Sequence, residues 1–216
     1  MQLISAFPVF AWTPQKTHGV LGPVQNEAMP VNKDKYGGDG TVPVVEHEVA
    51  IERVTSTWRL CAAECEAVGK RLLWEPEPGF ALNKMGDILR VIDGVNHNNF
   101  SVMADVCHAH HIAELGSRQP GKKEILPGGI GEFFSRLKGN VGRVHIIDSD
   151  GGINEHHTSV HTPLFDGCLN FDSFMRNIAA SSDDPVWTID LCFFPNAWEN
   201  ARKCKDGLDR LISQHG

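Results

Sequence analysis

FSVMADVCHAHH, residues 100–111, is the stretch that decides how this chain folds. A mostly apolar run ends on one carboxylate, Asp105, and three imidazoles, His108, His110 and His111, crowd the six positions that follow. Such a run reads as a buried strand. Taking an acid and imidazoles out of water costs several kcal/mol unless hydrogen bonds, an opposite charge or a metal satisfies them. The stretch therefore predicts a strand whose C-terminal tip is chemically occupied. Taken alone, Asp105 also reads as the N-cap of whatever follows.

Working outward, the same pattern recurs on both sides. RLLWEPEPG, from Arg71, reads as a strand ended by prolines and carries Glu75; GRVHII ends a strand at about 141–147 and carries His145; VWTIDLCF, about 186–192, carries Asp190. Helical periodicity fills the intervals at about 48–69, closing on a glycine, and at about 82–94, 129–138, 171–180 and 197–213. A short apolar strand at 2–12 precedes a Gly/Pro-rich loop at about 13–47 that lacks periodicity, as lids and binding loops do. Strands alternating with helices predict βα units and a parallel sheet, and the near-continuous apolar strands suit a sheet covered by outer helices. Each of the last four strands ends on Glu75, Asp105, His145 or Asp190, so all four point to one rim. A (β/α)8 barrel builds its site at that rim. An open doubly wound sheet also binds ligands there, but rarely collects ligands from four successive strands. The expected class is α/β, of the (β/α)8 TIM-barrel type, in one domain over residues 1–216.

Composition narrows the partners. The 216 residues are 41% apolar and carry a formal charge of −7, with a pI near 5.8. A nucleic-acid binder would normally be basic, so a small polar ligand is expected instead. No apolar run approaches the roughly 18–20 residues of a membrane helix, and MQLISAFPVFAW lacks a positive n-region. A cytoplasmic protein is expected, with its six scattered cysteines reduced. A zinc reading of Cys61 and Cys65 lacks a second cysteine pair.

Singly, each rim residue has a plain alternative: Glu75 as a solvated loop acid, His145 as a satisfied core histidine, Asp190 as a salt-bridge partner. Together they form a hard, mainly oxygen donor set that suits a divalent ion, Mn2+ first, with Mg2+, Co2+, Fe2+ and Zn2+ as alternatives. Four protein ligands leave one or two positions of a six-coordinate ion for adjacent oxygens of a sugar. An ion held so polarises a carbonyl and stabilises an enediolate while neighbouring carboxylates move protons.

WEPEPG, MADVCHAHH, VHIIDSDGG and WTIDLCF together resemble the strand-end motifs of the xylose isomerase-like TIM barrels, over about residues 71–216. That superfamily comprises sugar (phosphate) isomerases and epimerases and also endonuclease IV. The resemblance implies Glu75, Asp105, His145 and Asp190 as metal ligands, with Glu75 moving a proton on one face of the substrate carbon and Asp190 or His108 serving the other as catalytic group. It implies that His108, in D-x-x-H, contacts substrate and that Asp148, in H-x-x-D, supports a ligand or the substrate. His161 is placed to close over the sugar or to lie at the surface. His110 and His111 are expected to support the site or face solvent, and Trp12, Trp74 and Phe193 to stack on the sugar or join the core. Two features depart from the family: Asp190 stands where epimerases carry glutamate, and HIIDSDGG lacks the arginine of ketose epimerases.

One strand before Glu75 and four ligand strands make about five, where a closed barrel needs eight. The barrel is expected to be incomplete, through truncation or because a partner chain or second copy completes it. The function expected is a metal-dependent sugar isomerase or epimerase acting by proton transfer beside a carbonyl. The alternatives are a lyase on 3-oxo-glycosides, as in the related C-glycoside deglycosidases, phosphodiester cleavage, or an inactive fragment or subunit.

Overall fold

The structure is a computed structural model that describes residues 46–154, 158–182, 186–192 and 194–215, and the backbone of 2–6. Trp12, Phe193 and nearly all of the 13–47 loop lie outside the described residues.

Helix α1 (His47–Ala67) places Ile51, Val54, Trp58, Ala62 and Cys65 three or four residues apart, and this one stripe is buried while the flanks face water. Gly69, at φ +67°, turns the chain into β2 (Lys70–Trp74), a conformation in which glycine meets no Cβ penalty. Trp58 meets Trp74 at 5.1 Å and Phe100 at 5.6 Å between ring centres, and these contacts dock α1 on the sheet. Helix α2 (Met85–Val95) buries Met85, Ile88, Val91 and Val95 and ends at Asn96 in the left-handed region. Then come β3 (Phe100–Asp105), the short α3 (Val106–His110), α4 (Gly129–Arg136) and β4 (Val141–His145). A hairpin of β5 (Asp148–Ile153) and β6 (Ser159–Thr162) follows, then α5 (Met175–Ser181), β7 (Trp187–Thr188) and α6 (Ala197–His215).

The main sheet has the order β1-β2-β3-β4-β7, where β1 is Gln2–Ala6, and each of its four pairings is parallel. Neighbours in the sheet follow chain order, the winding of a barrel rather than of a doubly wound sheet, whose order reverses at a switch point. Side chains alternate between its faces. Leu72, Trp74, Val102, Ala104 and Val144 join the core under the helices, which leaves Glu75, Asp105 and His145 to emerge on the opposite face at the C-terminal edge. Asp105 and His145 are register partners.

Several expectations change. The hairpin was not foreseen, nor was α3 with the π-helical turn His111–Leu115 that follows it. The segment 171–180 divides into a 3-10 turn, Phe171–Ser173, and α5. The expected strand 186–192 shrinks to the two residues of β7, because only Trp187 and Thr188 pair with β4. The cysteines are free thiols. Among the described residues, no helix is long and apolar enough to cross a membrane.

Candidate metal centre

Three consecutive strand tips and the turn after β7 bring Glu75, Asp105, His145 and Asp190 together, each offering one ligand atom, all within 4.8 Å of one another. His145 Nδ1 lies at the middle, 3.0 Å from Glu75 Oε1, 3.4 Å from Asp190 Oδ2 and 3.8 Å from Asp105 Oδ2. Glu75 Oε1, Asp105 Oδ2 and His145 Nδ1 are buried, and none makes a well-aligned hydrogen bond. Around an ion with bonds of about 2.0–2.2 Å, neighbouring ligands stand about 3 Å apart and opposite ones about 4.3 Å. The donor types and spacings fit a divalent cation.

Asp105 divides its two oxygens. Oδ1 accepts the backbone N–H of His108 at 2.8 Å and so caps α3, while Oδ2 faces the cluster. The N-cap and cluster readings of this residue are therefore compatible. Asp190, although one methylene shorter than the glutamate of epimerases, reaches the cluster; its Oδ1 accepts the backbone N–H of Cys192 at 2.9 Å, which fixes the carboxylate.

The electrostatics are those of charges held together out of water. Burial opposes the charged form of His145, yet the carboxylates of Asp190 and Glu75 and the charge of Asp105 more than offset it and push its pKa up to about 10. Burial raises Asp105, partly opposed by the charges of His161 and His145. Burial would raise Asp190 as well, but His145 and His161 hold it below the usual carboxylate range. For His108, burial and the neighbouring His161 and His145 keep the ring neutral.

The hairpin supplies the wall opposite the sheet. His161 sits on β6 and is 6% exposed, so it is a buried site group rather than a surface loop imidazole. Its Nδ1 donates to the Asp190 carbonyl at 3.0 Å, which leaves Nε2 unpartnered and 3.9 Å from Asp105 Oδ1. His108 packs 5.2 Å from the His161 ring, with its Nδ1 2.7 Å from Ser159 Oγ. Cys107 lies nearby as well, but burial raises its pKa and keeps it a thiol, paired with the Val160 carbonyl.

Other expected residues fall elsewhere. Asp148 does not face the cluster: Oδ1 accepts the amides of Ser149 and Leu169, Oδ2 those of Phe165 and Gly167, at 2.8–3.1 Å. Its work is to clamp the loop after β6. His111 is fully buried on Ser117 Oγ rather than facing solvent, and His110 pairs with Glu114. Trp74 belongs to the core. One buried acid was missed altogether: Glu77, which burial and the charge of Glu75 push up to about 8 against the pull of the Thr158 hydroxyl. Its signal was the spacing of two from Glu75 in WEPEPG, which keeps both on one side of an extended chain. Beside Asp190 opens a cavity of about 500 Å³ lined by Ile189, Leu191, Cys192, Asn196 and the exposed Trp198.

The model of the xylose isomerase-like TIM barrel matches residues 35–213, and the chain belongs to that family. No curated protein matches its sequence. Among solved structures, the IolI protein with a bound zinc atom aligns with a TM-score of 0.60 at 16% identity, over 82% of this chain and 61% of that one. L-ribulose 3-epimerase aligns at 0.58 and 15% identity, over 81% and 58%. A xylose isomerase-like TIM barrel protein from Mycobacterium smegmatis, in complex with magnesium, aligns at 0.58 and 12% identity, over 99% and 62%. The chain thus spans about three fifths of the length of these structures.

Proposed function

We propose that this chain is a divalent-metal-dependent isomerase or epimerase of a sugar or polyol-derived substrate, with Mn2+ the ion best suited to its oxygen-rich donors. One observation carries the reading: four donors, from three consecutive strand tips and the segment after β7, converge within 4.8 Å, with buried atoms that no aligned hydrogen bond satisfies. L-ribulose 3-epimerase, with the same fold, supports the substrate class. Glu75, Asp105, His145 and Asp190 would hold the ion, which when bound would polarise the substrate carbonyl.

The remaining steps belong to the chain's own groups. Glu75, at 5% side-chain exposure, takes the proton from the carbon beside the carbonyl in a site from which water is largely excluded. Asp190, whose Oδ2 lies 3.4 Å from His145 Nδ1, is 27% exposed, lines the cavity, and serves the other face of that carbon. His108 and His161 form the wall against which substrate oxygens rest, each fixed through its Nδ1. The net charge of −7 suits a small sugar and not a polyphosphate backbone. The free thiols suit a reducing compartment such as the cytoplasm.

The test uses the Mn2+-loaded chain and a panel of ketoses in D2O, with deuterium incorporation followed by NMR. Exchange at the carbon beside the carbonyl is expected for one member of the panel, and Glu75→Gln should abolish it while leaving the fold. Exchange at full rate in that variant would exclude Glu75 as the base.

A further inference from the structure

Outside the four-donor cluster, three side chains stand in the order nucleophile, base and orienting acid. Cys168 is an exposed free thiol, and His110 Nε2 lies 4.0 Å from its Sγ. At the other nitrogen of that ring, Nδ1 meets Glu114 Oε2 at 2.6 Å. A carboxylate accepts there, so Nδ1 carries the proton and Nε2 keeps its lone pair for the thiol. Glu114 is fixed in turn, because its Oε1 accepts the backbone N–H of Ile130 at 3.2 Å. It belongs to the π-helical turn His111–Leu115, a kind of turn that recurs at functional sites.

The backbone holds the sulfur in place. Cys168 donates its own N–H to the Ser149 carbonyl at 2.7 Å, and the amides of Gly167 and Leu169 on either side of it are tied to Asp148. Gly151, at φ +80°, faces the thiol with bare backbone, where a Cβ would stand 3.8 Å from Sγ. Burial raises the Cys168 pKa, and the charges of Asp148, Asp150 and Glu114 add to it against one backbone hydrogen bond. The resting group is therefore S–H, which needs a base before it can attack, and His110 is the base within reach. Such contacts are often long until a reactant is bound. His111, edge-on to the His110 ring at 5.5 Å, adds no charge, because burial lowers its pKa to about 4. The three carboxylates around the sulfur favour a reactant of positive charge.

We infer that Cys168, His110 and Glu114 form a thiol-exchange site that takes small cationic disulfides. The Cys168 sulfur attacks one sulfur of the disulfide while its proton passes to His110 Nε2. The disulfide bond breaks with its electron pair on the second sulfur, and that half leaves as a thiol after taking the proton from His110. Cys168 is thereby oxidised to a mixed disulfide and half of the reagent is reduced. Glu114 is a positioning residue that fixes the ring and its tautomer. No metal ion takes part.

The experiment treats the full chain with cystamine and follows each cysteine by peptide mass mapping. Cys168 is expected to form the mixed disulfide at least about tenfold faster than Cys61 and Cys192, which are also exposed. The preference for cystamine over the anionic glutathione disulfide should be larger at Cys168 than at Cys61. His110→Asn should slow Cys168 by about tenfold or more and leave Cys61 unchanged. Between pH 6 and 8 the wild-type rate at Cys168 should rise by less than the roughly tenfold per unit of an ordinary thiol below its pKa of about 8.5, and His110→Asn should restore that slope. Thermal melts report whether the variant folds; if it does not, the wild-type rate ratio and slope decide alone. A Cys168 rate no greater than those of Cys61 and Cys192, or one unchanged by His110→Asn, overturns the site. An equal preference between the two disulfides at Cys168 and Cys61 overturns the cationic class.

Discussion

Metal binding should be strongly linked to pH, and the link can be worked out from His145. In the metal-free protein its pKa is about 10, so at pH 7 the ring carries a proton that must leave before Nδ1 can ligate. Three pH units separate the two values, which corresponds to a penalty on the order of 4 kcal/mol at about 1.4 kcal/mol per unit. The first equivalent of Mn2+ should therefore release about one proton at pH 7, and its affinity should rise about tenfold per pH unit, or about 100-fold from pH 6.5 to 8.5. The metal-free fold should move the opposite way. A histidine whose folded pKa is raised stabilises the fold fully below its unfolded value of about 6.5, and that stabilisation disappears as pH climbs through 10. Isothermal titration calorimetry in buffers of different ionisation enthalpy counts the protons; thermal melts of the metal-free chain from pH 7 to 10 give the second trend. An affinity independent of pH, with no proton released at pH 7, would refute the assignment of His145 as a ligand.

Two predictions concern groups away from the ion. Asp148→Ala strips the acceptor from four backbone amides and should destabilise the fold by about 3 kcal/mol or more, measured by urea unfolding. Variant that still folds should bind Mn2+ with the wild-type stoichiometry, because Asp148 does not face the cluster. At Asp87, burial raises the pKa against the opposing pull of His47, so its neutral form stabilises the fold below the unfolded value and that benefit is lost as pH rises through the folded one. Asp87→Asn should accordingly raise the melting temperature at pH 7 and lose the advantage below about pH 4; an unchanged or lower value at pH 7 would show that the 2.9 Å pairing with His47 outweighs the burial.

The rim was legible because its strands are nearly continuous apolar runs, each broken by one ionisable residue at its end, and a parallel sheet aligns such ends at one edge. The hairpin was not, since Asp148–Ser149–Asp150–Gly151–Gly152 shows neither alternation nor β-branched residues. Its pairing depends instead on the opposite strand, Ser149 against His161, which a local pattern cannot report. Asp148 misled for a related reason: H-x-x-D spacing places an acid near the tip of β4 but does not show that four amides from residues 149–169 have already taken its oxygens. Glu77 escaped notice because Pro76 and Pro78 around it read as loop, whereas only the fold reveals that this loop is buried.

The order of the sheet also has a kinetic meaning. Beyond β2, each strand of the main sheet joins a neighbour laid down some 30 to 45 residues earlier, so the arc can grow from β2 through fairly local closures. Asp190 is made after Glu75, Asp105 and His145 and lies beyond β7. A chain emerging from the ribosome therefore has no complete four-donor cluster until β7 docks on β4, so that any cation it takes there would seal the joined strand ends rather than seed their pairing.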